Sequence, residues 1–151
     1  MAIFDDEKRN KTHLFRDKIR TILRYEGERF MIYTERNIDG KKSRVTRIML
    51  ELGMPAHLRG YHYLREAVCL SIENMELVGS VTKLLYPEVA KIYHTTIEKV
   101  ERAIRSVIEV GWERGSEELY EEIFGYSRAD GKARPTNSEL ILGIAVWYTI
   151  H

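Results

Sequence analysis

Arg102 and Arg105 lie three residues apart, with Glu101 beside them, in the segment Thr95-Thr96-Ile97-Glu98-Lys99-Val100-Glu101-Arg102-Ala103-Ile104-Arg105-Ser106. Three-residue spacing on a helix puts two side chains on one face. A guanidinium can make a bidentate pair with guanine O6 and N7, and a carboxylate can accept from the cytosine amino group. Arg102 and Arg105 could therefore read guanines in a major groove and Glu101 a cytosine, each pair discriminating by roughly 1–3 kcal/mol. Thr96, Lys99 and Ser106 flank them as candidate contacts to neighbouring bases or phosphates, and Arg128, Lys132 and Arg134 are further candidates for phosphate. The competing reading of the same residues is a solvated helix face laced with i,i+4 ion pairs, Glu98 with Arg102 and Glu101 with Arg105.

Base reading requires two short helices locked at a fixed angle so that the second can enter the groove. The sequence from Tyr86 to Arg105 meets that demand. Ala90 is small where the helices would cross. Val89 and Tyr93 face inward from the first helix, and Ile97, Val100, Ile104 and Val107 from the second, at i, i+3, i+7 and i+10. Thr95 and Glu98 fit a T-x-x-E capping box. His94 occupies the turn, where positive φ is often needed; histidine tolerates that region better than most residues.

The surrounding chain reads as helix after helix. Leu14, Phe15, Ile19, Ile22 and Leu23 recur at helical spacing among arginines and lysines, which predicts a basic amphipathic helix over about residues 5–25. It would pack on the main domain or pair with a second copy. A membrane surface is the weaker choice, because Asp5, Asp6, Glu7 and Asp17 dilute the basic face. Phe30–Tyr33 is a β-prone run that could form a small hairpin, and Asn37–Lys42 reads as a turn or linker. Residues 1–42 are thus an N-terminal extension and 43–151 the DNA-binding domain. Within that domain Ser43 caps a helix ending at Gly53, and Pro55-Ala56 begins a second that runs to about Asn74. Ser80–Leu85 forms a third, broken by Pro87 after Tyr86. After the helix-turn-helix, Gly115 stops the long member and Ser116 caps Glu117–Phe124. Gly125–Thr136 is a polar loop, and the last helix starts at Asn137 or Ser138.

Composition bounds the function. At 44% apolar and 31% charged residues, the chain is of the globular type. No apolar run approaches the roughly 20 residues needed to span a bilayer, and no basic-then-apolar signal pattern opens the chain, so a cytoplasmic, nucleoid-associated protein is expected. Cys69 is the lone cysteine, in an apolar helical context that predicts burial. His57 and His62 are five apart, off the spacing that would set two metal ligands on one helical face. Neither a phosphate-cradling glycine loop nor a nucleophile elbow is present, so no enzyme, cofactor or metal is expected. The net charge of +1 is uneven: residues 1–47 hold 13 basic and 8 acidic residues, and residues 48–151 hold 11 and 15. Any DNA contact in the main domain must come from a local basic face.

From about Val45 to Trp147 the chain resembles the C-terminal effector domain of the stage-zero sporulation protein A family. The blocks that carry the likeness are Glu51–Ala67, Gly79–Pro87, Thr95-Thr96 through Arg105 continuing Ile108-Glu109-Val110, Phe124-Gly125-Tyr126 and Pro135–Glu139. The resemblance implies an all-α domain of six helices and binding to TGTCGAA-like elements, often as tandem copies. Its base-reading positions correspond to Glu101, Arg102 and Arg105. Ser106 stands where the family has histidine, and Glu98 and Lys99 where it has serine and arginine. The family's helix after the recognition helix touches RNA polymerase sigma factor; here Ser116–Phe124 is more acidic. Family members also carry a phosphorylated receiver domain, which residues 1–42 are too short to form. The expectation is a sequence-specific transcription regulator that binds DNA without phosphorylation, as a homodimer through residues 5–25 or in tandem on DNA. The alternative is a protein-interaction module that keeps the fold and acts on the full-length family regulator or on polymerase.

Overall fold

A computed structural model describes residues 40–151. The predicted 5–25 helix, the candidate hairpin and residues 37–39 of the predicted linker lie outside them. The unit Val45–His151 is all-α, and six α-helices run through the described residues. They are α1 (residues 40–51), α2 (Arg59–Glu73), α3 (Tyr86–Ile92), α4 (Ile97–Arg114), α5 (Glu117–Phe124) and α6 (Asn137–Ile150).

α2 is the hub, packed against both α4 and α6. Tyr61, Leu64, Ala67 and Val68 from α2 share one core with Val100, Ile104 and Ile108 of α4 and with Ile141 and Ile144 of α6. Cys69 is buried among them, as its apolar context predicts. The α2–α4 approach is unusually close at one point: a Cβ on Gly60 would collide with the Ala103 carbonyl, so only glycine lets the start of α2 lie on α4.

Several boundaries differ from the sequence reading. Ser43 lies inside α1 and does not cap it, and residues 40–42 are helical; lysine is a good helix former, so the amphipathic pattern of Val45, Ile48, Met49 and Leu52 extends backward through Lys41 and Lys42. α1 does end where expected, with Gly53 at φ 87°. Pro55 and Ala56 precede α2 instead of opening it. Buried Met54 pins the chain, and a turn closed by Leu58 N–H to the Pro55 carbonyl (3.3 Å) comes first. The predicted break at Pro87 is absent. A 3₁₀ segment, Met75–Ser80, leads into a π turn, Val81–Leu85, which runs straight into α3. Tyr86 N–H donates to the Val81 carbonyl, and Pro87 falls in the first turn of α3, where proline is tolerated.

The later caps match expectation. Ser116 Oγ accepts from Leu119 N–H at 3.1 Å, with Glu117 and Glu118 in the first turn of α5. α6 starts at Asn137 on a reciprocal capping box between Thr136 and Glu139.

Candidate nucleic-acid interface

α3 and α4 form the predicted helix-turn-helix. α3 ends in a Schellman motif: His94 N–H donates to Lys91 O (3.4 Å) and Thr95 N–H to Ala90 O (2.9 Å). The first of these donors must be left-handed, and His94 has φ 54°, the positive value expected for this turn. Thr95 is therefore spent on closing α3. The capping of α4 passes to Thr96, whose hydroxyl accepts from Lys99 N–H at 3.2 Å. The T-x-x-E box at Thr95 and Glu98 is thus one residue early, because the Schellman closure takes the Thr95 N–H from which Glu98 would have accepted. Thr96, a candidate DNA contact, holds the helix start with the same hydroxyl.

Val100, Ile104 and Val107 are fully buried, and Ile97 packs partly buried against the core. That fixes the rotation of α4. Its opposite face carries Glu98, Arg102, Arg105 and Glu109, all exposed. Arg105 is held by Glu101 in an i,i+4 ion pair, while Arg102 makes no ion pair or side-chain hydrogen bond among the described residues. Of the two ion pairs the spacing allows, Glu101–Arg105 is present and Glu98–Arg102 is not.

One flank of this face is braced from α6. Asn137 Nδ2 donates to the Glu101 carbonyl (3.1 Å) and to the Tyr86 hydroxyl (3.0 Å), tying the recognition helix, α3 and the start of α6 together. Burial raises the Tyr86 hydroxyl pKa above its ordinary value; the Asn137 hydrogen bond offsets part of this, and the Glu101 carboxylate adds to it. A shallow concavity of about 430 Å³ opens beside this brace, between Arg105 and the loop segment Ala133–Ser138.

The three loop cations are placed differently. Arg134 pairs with Glu109 at 2.7 Å, on the edge of the exposed face of α4. Lys132 stands over the Tyr126 ring, 5.6 Å from its centroid, and Tyr126 itself packs on Trp112. Arg128 donates to the Trp112 and Gly115 carbonyls (3.0 and 3.1 Å) and pairs with Glu117, closing the C-terminal end of α4. Gly115 lies about 20 Å along the axis from Arg102. Arg128 is thus a helix-end clamp, a job that spacing alone did not reveal.

Residues 45–146 match the family described as sporulation initiation factor Spo0A, C-terminal. The chain belongs to this family. Spo0A C-terminal domains are DNA-binding domains of sporulation transcription regulators, and the helix-turn-helix described above falls inside the matched span. No helix among the described residues is long and apolar enough to cross a membrane.

Two residues around the exposed face of α4 escape sequence reasoning. Asn137 reads from sequence only as a helix start, although an asparagine there can offer two N–H donors to neighbouring acceptors. Arg59 carries no sequence motif of its own; it begins α2 beside Lys99 and Arg102. Its signal was Gly60, a small residue where two helices must touch.

Proposed function

We propose that this domain reads TGTCGAA-like duplex elements from the major groove. Arg102 and Arg105 contact guanines, and Glu101 accepts from a cytosine amino group. Lys99 and Ser106 meet neighbouring bases or phosphates, and Arg134 reaches a phosphate from the loop. The observation that carries the reading is the state of Arg102: an exposed guanidinium on a rigidly oriented helix, with no acceptor taken up within the described residues. The Glu101–Arg105 pair supports the companion contacts. Each side chain restricts the other on the same face, which lowers the entropy lost on docking. Arg128 is left out of the contact set because its donors are engaged at the far end of α4.

In this reading the domain binds without phosphorylation, since the face of α4 is already presented, and it works in the cytoplasm at the nucleoid. Contact with sigma factor would run through the acidic face of α5 (Glu118, Glu121, Glu122), all exposed. Homodimerisation through residues 5–25 remains part of the proposal. Fluorescence anisotropy with unphosphorylated protein tests the core of it. Tight, salt-sensitive binding to a TGTCGAA duplex and weakening by each guanine substitution is the expected result. Equal affinity for intact and substituted duplexes would overturn sequence reading, and binding that appears only after phosphorylation would overturn its independence.

A further inference from the structure

The two flanks of the exposed face of α4 carry different charge. On the Asn137 side the cations are matched: Arg105 by Glu101 and Arg134 by Glu109. On the α2 side a concavity of about 290 Å³ is lined by Arg59, Tyr63, Lys99, Arg102, Ala103 and Ser106, with no acid among them. Arg59, Lys99 and Arg102 are all exposed, and none makes an ion pair or side-chain hydrogen bond among the described residues. Lys99, Ala103 and Ser106 share this flank by their i, i+4 and i+7 spacing. Arg59 comes from another helix and reaches the flank because Gly60 sits against the Ala103 carbonyl. Three like charges around one hollow repel one another, and Arg59 adds a further cost. It occupies the first turn of α2, where no acid offsets it and the macrodipole disfavours a cation. An anion in the hollow would relieve both.

We propose that Arg59, Lys99 and the Ser106 hydroxyl form a clamp for a backbone phosphodiester of duplex DNA, on the α2 flank of α4. The inference rests on the groove-reading proposal. An α-helix of 10–12 Å diameter fills a major groove about 12 Å wide. With Arg102 and Arg105 aimed at base edges, the two flanks of α4 face the two phosphate backbones. The α2 flank offers unmatched cations to one strand, whereas Arg134 on the Asn137 flank meets the other strand while sharing its charge with Glu109. Non-specific affinity and its salt dependence would therefore come largely from a residue pair spanning two helices, while Arg102 stays available for the bases.

The test measures affinity across a salt series for the full chain and for Arg59→Ala, Arg59→Lys and Arg102→Ala. Two duplexes of equal length are used, one containing TGTCGAA and one scrambled. Arg59→Ala should weaken binding about five- to tenfold near 0.1 M salt, by the same factor on both duplexes, and reduce the salt slope by about one. Arg59→Lys should keep the slope, because charge is retained. A melting temperature for Arg59→Ala no lower than that of the wild type excludes a folding defect as the cause. If Arg102→Ala loses specificity while Arg59→Ala leaves affinity and slope unchanged, the clamp is wrong and groove reading stands. A loss confined to the TGTCGAA duplex would also overturn it, by making Arg59 a base contact. Wild-type protein that binds neither duplex overturns both proposals.

Discussion

Along α4, the first ten residues and the last eight live in different surroundings. From Ile97 to Ser106 only Val100 and Ile104 are fully enclosed, and Glu98, Lys99, Arg102, Arg105 and Ser106 stand in solvent. From Val107 to Arg114 the helix is gripped from several sides. Gly111 lies against Met54 and the Leu52 carbonyl. The Trp112 ring meets Tyr120 edge-on at 4.9 Å and Tyr126 at 5.9 Å. Beyond the helix end, Ser116 N–H donates to Glu51 O (3.0 Å), and Arg128 caps two terminal carbonyls. Tyr120 reinforces this end by donating its hydroxyl to Leu52 O at 2.8 Å. One half of the helix is an anchor and the other a probe. A side chain can be aimed with little reorganisation only if its helix is held firmly, and here the aromatic packing that holds it is concentrated in the last eight residues.

Substitutions in the two halves should separate stability from recognition. Trp112→Ala, in the anchor, should have the largest effect, a loss of about 4 kcal/mol of folding stability from the emptied aromatic cluster. Urea titration checks it, and any surviving folded protein should retain its base preference. In the probe, Arg102→Ala should change folding stability by less than about 0.5 kcal/mol yet cost about 1–3 kcal/mol in binding, concentrated at one base pair. Equal loss on every sequence would instead make Arg102 a phosphate contact. Asn137→Ala sits between the two classes. It removes both bonds to Glu101 and Tyr86 and should cost about 1–2 kcal/mol in stability, with a smaller drop in affinity as the Glu101 turn loosens. The smallest effect is expected at the hinge between helices: His94→Gly relieves a left-handed residue and should raise stability by about 0.5 kcal/mol, net of the entropy glycine adds to the unfolded chain. Thermal melts resolve it, and a drop in melting temperature would show that the imidazole contributes more than its backbone costs.

Much of this division was legible in residue spacing. The inward series Val100, Ile104, Val107 fixes which side of α4 faces out, and so places Arg102 and Arg105 together on the exposed side. Left-handed geometry at His94 followed from its position between two short helices. The stops at Gly53 and Gly115 and the cap at Ser116 were equally readable. The cap of α4 was not, because Thr95 and Thr96 are chemically equal candidates and only the closure of α3 assigns one N–H to Ala90. Nor was the role of Arg128 readable. A polar loop with three cations looks the same whether it faces a ligand or folds back onto a helix end.

Sequence periodicity determined the helices, their buried faces and the residues the recognition helix turns outward, because helical geometry links i to i+3, i+4 and i+7 without reference to the rest of the chain. Tertiary packing decided which of those polar side chains have partners. Arg105 and Arg134 found carboxylates, Arg128 found carbonyls, and Arg59, Lys99 and Arg102 were brought around one hollow with no acid in its lining. The reason is distance. Arg59 and Lys99 are forty positions apart in the chain, and they become neighbours only because a glycine lets α2 rest on the backbone of α4.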